Sequence, residues 1–160
     1  MTPDELRDRI SNISIWRRFG ERAPHKPLLL LLALGQYRNA HRSRIDYATT
    51  SESLRNLLEE FSPPRKTLHP EHPFWRLQSD GIWEVDNCEQ LIPNISGDVS
   101  PKQLTEAGAQ AGFTDEVLTL INQHPTLIGD LAQRILDAHF PETLHEDILL
   151  AVGLELPMRR

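Results

Sequence analysis

Apolar residues fall along this chain in short stripes of helical period separated by polar, proline-rich breaks. Leu6, Ile10 and Ile13 follow the capping box Thr2-Pro3-Asp4-Glu5, with proline at the first helical position, and predict a short helix to about Ser11. The next segment, SIWRRFGERAPHK, is interrupted by Gly20, Pro24 and Pro27 and reads as an extended or turning connection carrying Arg17, Arg18 and Arg22. Pro27 suits the first turn of a helix, so KPLLLLLALGQYRNA is expected to be helical to about Asn39. With leucine on every side, that helix belongs at the centre of the core. Ile45-Asp46-Tyr47 alternates like a short strand. Leu54, Leu57, Leu58 and Phe61 make a helical stripe capped within Thr50-Ser51-Glu52-Ser53 and ended by Ser62-Pro63-Pro64. HPEHPFWRLQSDGIWEV reads as a β-hairpin, Phe74 to Gln78 and Ile82 to Val85 about an Asp80-Gly81 turn.

Beyond Cys88 the pattern changes. Asn94, Ser96, Gly97 and Pro101 mark a linker, and FTDEVLTLINQ, HPTLIGDLAQRILDAHF and PETLHEDILLAVGL predict three helices started near Thr114-Asp115-Glu116, Pro125 and Pro141. Ile121, Leu127, Ile128, Leu131, Ile135, Leu136, Ile148 and Leu149 would pack them. The expected fold is therefore mainly α with a small β-hairpin, an α+β arrangement. A winged-helix-like core spans residues 1–92, and a helical part, residues 93–160, packs on it to make one compact domain. Such a layout serves DNA binding and protein contacts alike, so it does not choose between them.

Charge narrows the choice. The net charge of −6 over 160 residues argues at first against nucleic acid. Yet from Arg17 to Arg76 there are eleven Lys and Arg against six acids, with four histidines besides, whereas from Asp86 onward there are four against twelve. A basic half suits phosphates, since their neutralisation by Lys and Arg supplies most nonspecific DNA affinity. A solvated basic face is the plainer explanation of the same numbers. The longest apolar run, Leu28 to Leu34, covers seven residues where a membrane helix needs roughly twenty. The polar opening MTPDELRDRI lacks a secretory apolar core, and the lone Cys88 has no internal disulfide partner, so the expected location is the cytoplasm.

Catalytic motifs are missing. No nucleophile elbow, P-loop or HExxH pattern is present. His69-Pro70-Glu71-His72 sets two histidines three apart, but the intervening proline works against a helical ligand pair and no carboxylate partner is obvious. His139 and His145 fall at helix ends, where histidines usually cap or face solvent. The expectation is a chain with no catalytic residues, no metal and no cofactor.

The segment APHKPLLLLLALG, followed further along by HPEHPFWRLQSDGIWEV, resembles the DNA sulfur-binding domain of McrA-type HNH restriction endonucleases, which act on phosphorothioate-modified DNA. The run ILDAHFPETLHEDILLAVGL is similar to the segment that precedes the nuclease in those enzymes, so the resemblance spans nearly the whole chain. It implies a reader of double-stranded DNA in which sulfur replaces one non-bridging phosphate oxygen, held in a shallow apolar pocket rimmed by basic residues. His25 and Lys26 match the family's basic pair ahead of the central helix, expected to touch the modified phosphate and its neighbouring base. His72-Pro73 matches an aromatic-proline pair, commonly Tyr-Pro, that lines the sulfur pocket, and Arg76 falls at a further wall position. Two positions depart from the pattern: His72 stands where tyrosine is frequent, and Arg76 where a small residue occurs. Arg17, Arg18, Arg22, Lys26, Arg65 and Lys66 are the cations available for phosphate contacts. The resemblance also implies fusion to a C-terminal HNH nuclease domain, whose metal-binding cysteines and histidines this sequence does not show. The alternatives are a winged-helix regulator, which would bind unmodified DNA equally, or a protein-interaction domain, which would bind none.

The residues themselves make an anion site plausible at this place. Pro24 and Pro27 hold His25 and Lys26 rigidly at a helix N-terminus, where backbone N–H groups and the helix dipole favour negative charge. The leucines behind them would anchor that terminus. In the plainer reading His25 caps the helix, the prolines define a turn, and Pro73, Phe74 and Trp75 are core.

Overall fold

The computed structural model describes residues 1–13, 17–18, 21–22, 24–62 and 68–154, the two dipeptides by backbone alone. Helix α1 (Pro3–Ser11) begins as its sequence dictates: the Thr2 Oγ1 accepts the Glu5 backbone N–H at 3.2 Å, and Leu6 and Ile10 are buried. The connection contains a minimal antiparallel pair, β1 (Arg17–Arg18) with β2 (Glu21–Arg22), in which Arg17 stands opposite Arg22.

Helix α2 (His25–Ala40) is the hub. Every residue from Pro27 to Gly35 is buried, so neighbours cover it on all sides, as its unbroken apolar run requires. Gly35 makes one of those contacts possible: a Cβ there would lie 2.0 Å from the Val152 carbonyl oxygen. The helix closes at His41, which adopts the left-handed conformation at φ 52°.

Strand β3 (Ile45–Asp46) runs directly into α3 (Tyr47–Phe61). This helix starts before the expected Thr50–Ser53 caps because Asp46 supplies the cap, its carboxylate accepting the Thr49 N–H at 2.9 Å. Tyr47 and Thr50 thereby extend the buried stripe of Leu54, Leu57, Leu58 and Phe61 by one turn. The Thr49 N–H holds the Asp46 carboxyl below its usual range. A carboxyl depressed in the folded state stabilises fully above its unfolded value, and that contribution is lost as pH falls through the folded one. Asp46→Ala is therefore expected to cost about 1 kcal/mol at neutral pH. In denaturant titrations the deficit should shrink as the pH drops below about 4.

The expected hairpin does not form. Residues Glu71–Arg76 are helical (α4) and continue as a 3₁₀ turn over Leu77–Asp80, ended by Gly81 at φ 77°. The reason is which residues are buried: Pro70, Pro73, Phe74 and Leu77 recur at helical spacing, whereas the adjacent Trp75 and Arg76 do not go under. Pro70 and Pro73 both fall at or before the first turn, where a missing N–H costs nothing. Only β4 (Trp83–Asp86) is extended, and its partner comes from past the linker. After α5 (Pro101–Glu106), strand β5 (Gln110–Phe113) enters between β3 and β4 and pairs antiparallel with both, Ala111 facing Ile45 on one side and Val85 on the other. The sheet thus draws on both sides of residue 92. Gly112 lets the chain ahead of β3 pass close, since a Cβ there would lie 1.9 Å from the Ser43 carbonyl oxygen. Arg44 ties the sheet end together through Asp86 at 2.7 Å, the Phe113 carbonyl at 3.0 Å, and Glu84.

Helices α6 (Asp115–Gln123), α7 (Leu127–His139) and α8 (Glu142–Val152) follow the sequence pattern closely. Ile121, Leu127, Ile128, Leu131, Ile135, Leu136 and Ile148 are buried, while Leu149 is only partly so. α7 packs on both α1 and α2, and α8 on α2. The result is the expected α+β class, mainly helical around a small antiparallel sheet. No helix among the described residues is long and apolar enough to cross a membrane.

Candidate nucleic-acid interface

The two quoted motifs meet because α2 packs against α4. At the start of α2, His25 Nε2–H donates to the Leu68 carbonyl at 2.8 Å, binding the helix terminus to the chain that leads into α4. The Lys26 ammonium lies 2.6 Å from Asp80 Oδ2 at the end of the 3₁₀ turn. Both side chains are largely out of water, 11% and 6% exposed, so this pair behaves as an internal strut and not as a surface contact. Lys26 was expected to offer its charge to phosphate. In this structure its ammonium is paired with Asp80.

On α4, Pro73 is buried and His72 is one-third exposed. Burial first, and the neighbouring Arg76 charge second, hold the His72 imidazole below its usual value, so the ring is neutral at neutral pH. Arg76 keeps 46% of its side chain exposed but also has a fixed partner: Nε and Nη2 donate to the two oxygens of Asp98 at 2.7 and 2.5 Å. This forked bond holds the Asp98 carboxyl below the ordinary carboxylate range. Next to it Trp75 Nε1–H donates to the Gly97 carbonyl at 2.8 Å. Residues 94–98, which close on themselves through Asn94 and Asp98, are thus fastened to α4 at two points. Trp83 Nε1–H, donating to the Phe74 carbonyl at 3.0 Å, fixes α4 to the sheet from below.

The structure therefore brings His25 and Lys26 on α2, and His72, Pro73 and Arg76 on α4, onto two packed elements joined by Leu68 and Asp80. Arg17, Arg18 and Arg22 fall in β1 and β2, where only the backbone is described; Arg65 and Lys66 lie outside the described residues. Sequence reading missed the acids that engage two of the cations. Asp80 looked like a hairpin turn residue, and Asp98 lay in an apparent linker 22 residues from Arg76 with no periodic relation to it. It also missed a carboxylate between His69 and His72. Glu71 fills that place, its Oε2 3.0 Å from His69 Nδ1 and 3.7 Å from His72 Nε2. Beside it, burial first and the Glu71 charge second push the Tyr47 phenol up to about 12.

A family model described as the ScoMcrA-like DNA sulfur-binding domain matches residues 3–157. The chain belongs to that family. The sulfur-binding domain of ScoMcrA, solved in complex with phosphorothioated DNA, has the same fold at TM-score 0.81 and 24% identity, over 93% of this chain and 95% of that one. The sulfur-binding domain of SprMcrA, also complexed with phosphorothioated DNA, matches at TM-score 0.80 and 19% identity, over 96% and 95%. In the Type IV phosphorothioation-dependent restriction endonuclease ScoMcrA, the match at TM-score 0.79 and 23% identity takes 93% of this chain and 32% of that one. No curated protein matches the chain. At these identities the solved structures speak for the fold, and the family membership rests on the sequence model.

Proposed function

We propose that this sulfur-binding domain is the reader module of a modification-dependent restriction system, recognising double-stranded DNA in which sulfur replaces a non-bridging phosphate oxygen. The observation that carries this reading is the docking of the two family motifs, His25-Lys26 and His72-Pro73, on packed elements of a chain whose family match runs from residue 3 to 157. The buried Pro73 ring makes the floor of the pocket, the neutral His72 ring one wall, and the stems of Lys26 and Arg76 its sides. Sulfur is larger and more weakly hydrated than oxygen, so such apolar surfaces gain by covering it. They lose when asked to strip water from a charged oxygen.

With Lys26 and Arg76 held by Asp80 and Asp98, these two serve shape and orientation more than net charge. Raw affinity then falls to Arg17, Arg18, Arg22, Arg65 and Lys66, which stand in sequence just ahead of α2 and α4. Base-edge contacts from His25 or Arg76 in the major groove would set the preference for flanking bases. The module reads and does not cut; cleavage falls to an HNH-type nuclease domain joined to it.

The test of this division is the double variant Arg65→Ala/Lys66→Ala. Binding of modified and unmodified duplexes should weaken together, and the slope of log affinity against log salt should become shallower by about 2. An unchanged slope would remove these two residues from the phosphate contacts.

A further inference from the structure

His69, Glu71 and His72 bring two imidazoles and a carboxylate together at the entry to α4, each offering a ligand atom within 4.8 Å of the others. The two rings stack with centroids 4.6 Å apart and planes 5° from parallel. Glu71 is only 7% exposed. No Lys or Arg among the described residues reaches its carboxylate; the two imidazoles do. A carboxylate this far from water needs a cation or several strong donors. His69 is held at φ 50°, in the left-handed region, in the conformer that places its ring over His72.

We propose that His69, Glu71 and His72 form a binding site for a divalent transition-metal ion of the Zn²⁺ class. Two imidazoles and one carboxylate are the donor set with which zinc retains an open coordination position, and mixed nitrogen and oxygen donors exclude a calcium or magnesium cage. Ligand atoms each about 2.1 Å from a tetrahedral metal lie roughly 3.4 Å apart. The separations about Glu71, 3.0 and 3.7 Å, lie on either side of that value, and the two stacked rings must turn out of parallel for their in-plane lone pairs to meet on one ion. His69 is 46% and His72 33% exposed, so both rings meet solvent. His72 is shared with the proposed sulfur pocket, so a bound ion fixes the orientation of that wall; this consequence rests on the sulfur reading, and the metal site does not.

The experiment is a Co²⁺ titration of the whole chain without DNA, followed by visible absorption and then by displacement with Zn²⁺. One equivalent of Co²⁺ with the intense visible bands of a low-coordinate site, reversed by Zn²⁺, is the expected result. His69→Asn, chosen because asparagine tolerates the left-handed backbone, should keep the far-ultraviolet circular dichroism and weaken Co²⁺ binding. The loss should be at least the roughly tenfold that removal of a supporting outer-sphere partner costs. Glu71→Gln should weaken it likewise. Absence of a one-to-one complex, or a complex that His69→Asn leaves unchanged, overturns the site. Because no DNA is present, failure of sulfur recognition would leave this result standing, and the reverse holds too.

Discussion

Lys26→Ala is expected to lower the stability of the domain by about 3 kcal/mol, far more than loss of a lysine chosen to meet solvent phosphates would cost. Its ammonium and the Asp80 carboxylate lie 2.6 Å apart with only 11% and 6% of the side chains exposed. Deleting one member of such a pair takes the cation from a carboxylate that still has to stay inside, which typically costs about 3–5 kcal/mol. The lower end applies because the Lys26 side chain keeps a tenth of its surface in water. Exposed pairs are worth about 0–1 kcal/mol, so a loss below about 1 kcal/mol in chemical denaturation would mean that the strut is not one. A cycle with Asp80→Asn isolates the pair, since the double variant should recover part of what either single change loses. Below the melting temperature, Lys26→Ala should weaken modified and unmodified duplexes alike, because it unfastens the start of α2 from the 3₁₀ turn after α4. Lys26→Met, which keeps most of the stem, separates the charge from the packing.

Pro73→Ala is expected to act on a different quantity, the ratio of affinities for modified and unmodified DNA. Covering roughly 40 Å² of sulfur surface at about 25 cal/mol per Å² is worth roughly 1 kcal/mol. Avoiding a poorly compensated oxygen burial adds about 1–3 kcal/mol. Together these correspond to about one to three decades of preference. In the proposed pocket the proline ring supplies much of the apolar contact, so its loss should reduce the preference by about fivefold while binding of the unmodified duplex changes little. Alanine at this place keeps α4, since the position lies in its first turn. Paired titrations of the two duplexes check this. An equal fall in both would place Pro73 in general positioning and not in the pocket.

Most of the helical framework was legible in the sequence because each helix carries its own apolar stripe and cap. Thr2 and Glu5 start α1, and the leucine run makes α2 central because no face of it is polar. The segment after Pro70 was not legible. Phe74-Trp75 and Ile82-Trp83 look like facing strands about an Asp-Gly turn, and only burial of Pro70, Pro73 and Leu77 decides for a helix. Strand β5 was missed because Gln110-Ala111-Gly112-Phe113 has no β-branched residue; its place in the sheet comes from pairing on both edges and from the space Gly112 leaves for Ser43. At the site, the motif residues could be named from the resemblance, but their partners could not. Asp80 and Asp98 are joined to Lys26 and Arg76 by tertiary packing, which no local spacing encodes. Two of the site's cations therefore have carboxylate partners that only the fold reveals.

The most direct measurement is a fluorescence-polarisation titration, at one fixed moderate salt concentration, of a short duplex with and without a single stereochemically defined phosphorothioate, repeated over several flanking sequences. Sulfur recognition predicts that in at least one context the modified duplex binds about tenfold more tightly or better. Equal affinity for modified and unmodified DNA in every context contradicts it.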